Sequence, residues 1–310
     1  MKEDDLPGHD APPGIQAASF SPDGRTLLTG SYDGRLALWD VEAGRGLGRL
    51  KRAKRVLSIL TVCFSSDGTW FAVGNAAGRV AIRDARSCAV LCGWEAHKSG
   101  IMALDISPDG SWLATGAREP GGTTLRVWRI GQKRDSVTEA FSDHRHVTAV
   151  YAVNFSEDSC FLAAGGWTNS GYTGSVVYEL ETGHRVASLI WEAARSFRFS
   201  PDGTILASGE EFGKITLWDV RGQSRLREIK AAHEEIVSVL RFSSDGRRLA
   251  SGGIDGKFKI WDTASGSLCL ERVCTGVVLD CYYAGADEWL VAAAAPDPEA
   301  PPQIIRSAAE

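Results

Sequence analysis

The sequence predicts an all-β ring: a seven-bladed β-propeller of four-stranded antiparallel blades, the last of them degenerate. Three observations point there. First, an aromatic-Ser-Pro-Asp-Gly pattern, a short apolar run closed by small residues, a turn and an alternating strand recur seven times along 310 residues. Second, between turn glycines or their equivalents the copies are spaced 44, 42, 49, 44, 43 and about 41 residues apart, the period of a four-stranded blade. Third, the strand segments alternate apolar and polar residues, so one unit cannot bury its apolar faces and must stack on its neighbours.

The first copy reads Phe20-Ser-Pro-Asp-Gly24, Leu27-Leu-Thr-Gly30 and Leu36-Ala-Leu-Trp-Asp40. The second opens at Phe64 and the third at Ile106; the fourth, Phe155-Ser-Glu-Asp-Ser159, has lost its glycine. The fifth and sixth open at Phe199 and Phe242 and keep Trp218-Asp219 and Trp261-Asp262, and a seventh starts near Val277 with Leu290 to Ala293 and Gln303 to Ile305. The whole chain, 1–310, reads as one domain with blades at about 9–50, 51–96, 97–145, 146–189, 190–232, 233–273 and 274–310, an N-terminal strand completing the last. The proline-rich stretch 295–302 predicts a loop. The small residues of the Leu-Ala-Ser-Gly segments suggest the innermost strand, so a channel lined by Ala, Gly, Ser, Thr and Leu is expected.

A formal net charge of -5 argues against a broad basic face for nucleic acid. No apolar run approaches the roughly 20 residues needed to span a bilayer. Seven cysteines are scattered without a Cys-x-x-Cys pair, which predicts neither a disulfide framework nor a zinc site. They are expected to be mostly small buried hydrophobes in a reducing compartment, and the cytoplasm is the expected location.

The repeats resemble WD40 repeats from His9 to about Ser307. In that family a Trp ending the third strand is joined through a Ser or Thr and a His to an Asp in the preceding turn. The resemblance implies complete tetrads of His9, Thr29, Asp33 and Trp39 in the first copy and His233, Ser251, Asp255 and Trp261 in the sixth. The third keeps His97, Thr115 and Trp128, with Glu119 as a substitute acid; the fifth keeps Ser208 and Trp218 alone. The first and sixth blades are therefore expected to be the rigid ones.

A Ser, His and Asp together invite a catalytic reading, but a constellation that repeats and shares its polar groups with a Trp reads as structure. Gly209 to Ile215 and Gly252 to Phe258 lack the P-loop spacing and its Ser or Thr. Asp143, His144 and His146 could offer metal ligands, but no further ligand cluster accompanies them, and an exposed loop is expected. No catalytic residue, metal or cofactor is expected.

Partner binding is expected on the top face, which the resemblance places at the loops entering each blade and the turn before each third strand. That face would carry Tyr32, Leu60, Met102, Arg118, Glu119, Tyr151, Trp167, Tyr172, Arg195, Glu211 and Ile254, a mixture of aromatic, Arg and aliphatic anchors. The Gly-rich stretch 165–174 around Trp167 and Tyr172 has the strongest local claim. A basic edge of Arg45, Arg49, Lys51, Arg52, Lys54 and Arg55 is a charged outer strand, with anionic lipid or nucleic acid as alternative ligands. The expected function is a non-enzymatic scaffold that binds one or more proteins, as a monomer or a subunit of a hetero-complex. A propeller hydrolase is the remaining alternative and would need carboxylates or histidines converging on the channel.

Overall fold

A computed structural model describes residues 14–49, 57–119, 121–143, 148–167, 173–190, 194–294 and 301–308. Among these residues the strands form six four-stranded antiparallel sheets and one three-stranded sheet, each joining strands consecutive in sequence. No helix is long and apolar enough to cross a membrane among the described residues.

Each blade opens with an inner strand: Ile15–Phe20, Ile59–Phe64, Ile101–Ile106, Ala149–Phe155, Ala194–Phe199, Val237–Phe242 and Val278–Gly285. Each inner strand lies beside the next, and the seventh lies beside the first, so the ring is closed. The apolar core sits between blades. Leu28 and Leu36 of the first blade pack with Ile59, Phe64 and Phe71 of the second, while Phe20, Leu27 and Val41 pack with Leu290 and Ala292 of the seventh.

The recurrent Ser-x-Asp turn is a hydrogen-bonded clasp. In the first blade the Ser21 hydroxyl donates to Asp23 at 2.6 Å, the Arg25 N–H donates to the same carboxylate at 3.0 Å, and the Thr26 N–H donates to the Ser21 hydroxyl at 2.9 Å. Five more blades repeat the Ser–Asp bond. It holds Asp23, Asp202 and Asp245 below the ordinary carboxylate value; at Asp67, Asp109 and Asp158 burial acts the other way but is outweighed by the same bonds. The turn glycine takes a left-handed backbone, φ 68° at Gly24, and Ser159 adopts the same region at 56°, where only glycine avoids a Cβ clash.

The small-residue segments are not the innermost strands. They are the second strands, such as Thr26–Ser31 and Arg248–Gly253, sandwiched inside each sheet. Their small size answers the adjacent blade: a Cβ at Gly30, Gly74 or Gly252 would overlap Ile59, Ile101 or Val278, at the start of the next inner strand.

The seventh blade shows three strands among the described residues, ending in Gln303–Ala308. The N-terminal segment expected to complete it and most of the expected proline-rich loop lie outside those residues. Its seam with the first blade is hydrogen-bonded: the Phe20 N–H donates to Asp280 at 2.8 Å and the Tyr282 hydroxyl to the Pro22 carbonyl at 2.8 Å.

Candidate functional site

The tetrads are structural. In the sixth blade the Trp261 Nε1–H donates to the Ser251 hydroxyl at 2.8 Å, Ser251 lies 2.7 Å from His233 Nε2, and His233 Nδ1 lies 3.0 Å from Asp255. Burial first, partly offset by Asp255, holds His233 below its ordinary value and so neutral. The neutral ring donates from Nδ1 to the carboxylate and accepts the serine proton at Nε2. Ser251 is fully buried and its oxygen already accepts from Trp261, so it offers no nucleophile to a substrate.

The third blade builds a variant of this network. Trp128 donates to Thr115 at 3.0 Å, Thr115 lies 2.9 Å from His97 Nε2, and His97 Nδ1 is bonded to the Thr123 carbonyl at 3.1 Å, with Glu119 beside it at 3.3 Å. The Lys98 N–H donates to Glu119 at 2.6 Å, as the Glu234 N–H donates to Asp255 at 3.0 Å. The inserted segment supplies the nearer acceptor for His97, and Glu119 holds the Lys98 N–H. Glu119 is thus a buried structural acid, not an exposed binding group, and the third blade joins the sixth in having all four groups. In the first blade Trp39 donates to Thr29 at 2.8 Å and Asp33 is held by Ser31 and Arg35; His9 lies outside the described residues.

In place of a tetrad, Tyr178 and Arg185 of the fourth blade share a buried network with Asp143, at the end of the third blade's outer strand Val137–Asp143. The Tyr178 hydroxyl donates to Asp143 at 2.9 Å and Arg185 donates to the same carboxylate oxygen at 2.6 Å. Burial, then the Asp143 charge, pushes the Tyr178 phenol up. Asp143 is therefore not part of an exposed loop; His144 and His146 lie outside the described residues. The cysteines also differ from expectation: Cys274 and Cys281 are buried, Cys63, Cys88 and Cys92 half-buried, and Cys160 and Cys269 exposed, all as free thiols.

The central channel is charged, contrary to the expected lining of small neutral residues. Ser19, Cys63, Asp105, Asn154, Arg198, Arg241 and Asp280 line it from all seven inner strands. Several reach across to the next blade. The Phe64 N–H donates to the Ser19 hydroxyl at 3.2 Å, the Phe155 N–H to Asp105 at 2.9 Å, and the Phe199 N–H to Asn154 at 2.9 Å. The Phe20 N–H completes the series on Asp280. Arg198 pairs with Glu157 at 3.3 Å, and Arg241 donates to the Cys281 carbonyl at 3.2 Å and lies 3.8 Å from Asp280. Burial is the largest influence on both aspartates and raises them above the ordinary carboxylate value, against the pull of Arg198 on Asp105 and Arg241 on Asp280. The carboxylates that converge here accept backbone N–H groups, so they stitch blades together.

On the top face Tyr32, Met102, Arg118 and Ile254 are exposed, while Leu60, Tyr151, Arg195 and Glu211 are half-buried. Three of these meet. The Arg195 guanidinium stacks 4.1 Å from the centre of the Tyr151 ring and pairs with Glu211 at 3.1 Å. Its buried Nε–H has no acceptor among the described residues. Trp167 ends the second strand of the fourth blade and its backbone pairs with Thr173; the turn between them, with Tyr172, lies outside the described residues. Arg45 and Arg49 belong to the outer strand Arg45–Arg49, whereas Lys51, Arg52, Lys54 and Arg55 lie outside the described residues.

Phe212 was not among the expected anchors, yet it is 84% exposed, the most exposed large apolar side chain described. It occupies the turn Glu211-Phe212-Gly213, where the first, second and sixth blades carry Asp33-Gly34, Ala77-Gly78 and Asp255-Gly256. An aromatic residue at such a turn tip is the signal that could have marked it.

The comparisons with known proteins agree with this architecture. The family model described as WD domain, G-beta repeat, matches residues 2–40, 88–129, 136–170, 174–219 and 224–262. The chain is 26% identical over 235 residues to the APC/C activator protein CDC20 of Saccharomyces cerevisiae, covering 71% of this chain and 36% of that protein. It is 24% identical over 151 residues to protein groucho of Drosophila melanogaster, covering 49% and 20%. It is 28% identical over 197 residues to the WD repeat-containing protein SL1-17 of Schistosoma mansoni, covering 63% and 62%. In each case the chain spans less than two thirds of the relative's length. With the seven-bladed ring and its Trp-Ser/Thr-His-acid networks, these matches show that the chain belongs to the WD40 repeat family.

Proposed function

We propose that this protein is a non-enzymatic scaffold that holds other proteins on the top face of its propeller. The observation that carries this reading is the division of labour among its polar groups. The tetrad and most of the channel belt are spent on each other or on backbone N–H groups. Tyr32, Arg118, Phe212 and Ile254 are exposed in the segments that follow the second strands, and Met102 is exposed within the inner strand Ile101–Ile106, where it lines the channel. Exposed aromatic, Met and Arg side chains on a rigid frame are the usual anchors of protein interfaces. Relatives that include an APC/C activator and a pre-mRNA-processing factor support a role in assemblies.

The test is quantitative co-purification from the source organism with tagged wild type, a top-face triple variant (Tyr32→Ala, Met102→Ala, Arg118→Ala) and a double variant in the Ser-x-Asp turns at the opposite end of the strands (Arg25→Ala, Arg247→Ala). The expected result is loss of at least 80% of partner recovery in the triple variant, roughly the effect of about 1 kcal/mol at sub-saturating partner, with an unchanged melting midpoint. Partners retained by the triple variant and lost by the double variant would overturn the reading.

A further inference from the structure

Inside the channel one seam lacks a hydrogen bond that others make. In the sixth blade the Ser243 N–H donates to the Arg248 carbonyl at 2.9 Å. By the alternation of an antiparallel edge strand, the Phe242 N–H just before it turns away from its own sheet, toward the fifth blade. Elsewhere the equivalent N–H is met from the preceding blade: Phe64 by Ser19, Phe155 by Asp105, Phe199 by Asn154 and Phe20 by Asp280. The fifth blade presents Arg198 there, a side chain with donors only, and no side chain accepts the Phe242 N–H among the described residues. Phe242 is buried, where an N–H without a partner is rare.

The same seam places two guanidiniums in one recess. Arg198 and Arg241 hold the same position of adjacent inner strands and line a cavity of about 300 Å3 together with Ser19, Asn154 and Glu157. Their side chains remain 23% and 26% exposed, so both still reach the channel solvent. Among the described residues Arg198 donates only to Glu157 and Arg241 only to the Cys281 carbonyl. Burial first, then the Arg241 charge, holds Arg198 below its ordinary value; the neighbouring cation weighs on it more than Glu157 does. The aspartates are spent elsewhere, Asp105 on the Phe155 N–H and the Asn154 amide, Asp280 on the Phe20 and Cys281 N–H groups. Three carboxylates against two guanidiniums leave no cationic excess, so the ligand is selected by the surplus of open N–H donors, which calls for several acceptor oxygens on one small group. Glu157 beside them favours an oxyanion that also carries a proton to donate.

We propose that this recess binds a small protonated oxyanion, with hydrogen phosphate as the type. Its bare oxygens accept from Arg198, Arg241 and the Phe242 N–H, and its O–H donates to Glu157. The anion thereby supplies the acceptor that the fifth blade does not.

Equilibrium dialysis of the full chain against radiolabelled inorganic phosphate at constant ionic strength tests it. A single saturable site is expected, for which sulfate, having no proton to donate at neutral pH, competes about tenfold less well and chloride not at all. Arg198→Gln and Arg241→Gln should each weaken binding about tenfold, and Glu157→Gln should narrow the gap between phosphate and sulfate. Arg247→Ala, in an exposed Ser-x-Asp turn, should change nothing. Exchange of the Phe242 amide hydrogen needs no variant: phosphate should slow it, while the Phe199 amide, already bonded to Asn154, stays as it was. No saturable binding, indifference to both Arg substitutions, or a Phe242 amide that ignores phosphate would overturn the proposal. So would tighter binding of a phosphoserine peptide in a Gly-Ser context, which would assign the recess to a partner's side chain instead of a free ion. An ion held inside the channel leaves the top loops open, so failure of this site and failure of the scaffold reading are separate results.

Discussion

Replacing Asp280 with alanine should lower the global stability by about 2 to 4 kcal/mol, because two backbone N–H groups lose their acceptor at about 1 to 3 kcal/mol each. Those groups belong to Phe20, on the far side of the ring seam, and to Cys281, both bonded to the carboxylate at 2.8 and 2.9 Å. Phe20 and Cys281 donate to different carboxylate oxygens, so Asp280→Asn keeps an acceptor for one of them only and should recover about half of the stability that alanine loses. The two substitutions also separate in pH. Burial raises Asp280 above the ordinary carboxylate value. A raised acid adds stability that is full below its unfolded value, about 3.9, and is lost as pH rises through the folded one. Asparagine carries no such loss, so Asp280→Asn should gain on wild type between pH 4.5 and 7.5. Urea midpoints of the three proteins at both pH values check this, and equal midpoints for the Ala and Asn variants would show that the hydrogen bonds do not hold the seam.

His233→Ala should cost about 3 kcal/mol, because it opens a cavity and strips the buried Ser251 hydroxyl of its acceptor. His97→Ala should cost a similar amount, since Thr115, the Thr123 carbonyl and Trp128 close a like network around it. Ser208→Ala in the fifth blade should cost only about 1 kcal/mol, because the Trp218 bond at 3.1 Å belongs to no His-linked network. The order of thermal midpoints is the check: Ser208→Ala falling as low as His233→Ala would mean that the tetrads add nothing beyond a single hydrogen bond.

Much of the fold was legible in the sequence because its determinants are local and repeated. The Ser-x-Asp-Gly clasp closes within six residues, and the four-then-six spacing of Ser251, Asp255 and Trp261 is set by one hairpin. Glu119 could be named as a substitute acid, but its reach depends on how the inserted glycines fold. The charged channel was not legible in the same way. Alternation does not say which apolar strand lies innermost, and the small residues that suggested the channel answer the neighbouring blade instead. The signal was nonetheless present: Ser19, Asp105, Asn154, Arg198 and Arg241 each stand immediately before the residue that opens a turn. At that position Ser19, Asp105 and Asn154 accept the next blade's N–H, while Arg241 donates to the next blade's carbonyl. Phe212 escaped because no ladder constrains a turn tip, so its side chain answers to whatever lies outside the molecule.

The most direct test of the account is hydrogen–deuterium exchange of the protein alone and bound to a partner that co-purifies with it. Protection is expected in the top-face segments 31–36, 99–103, 210–214, 233–236 and 253–257, with the Ser-x-Asp turns unchanged. Protection confined to those turns at 21–25, 65–69, 200–204 and 243–247, with the top loops exchanging as in the free protein, would contradict it.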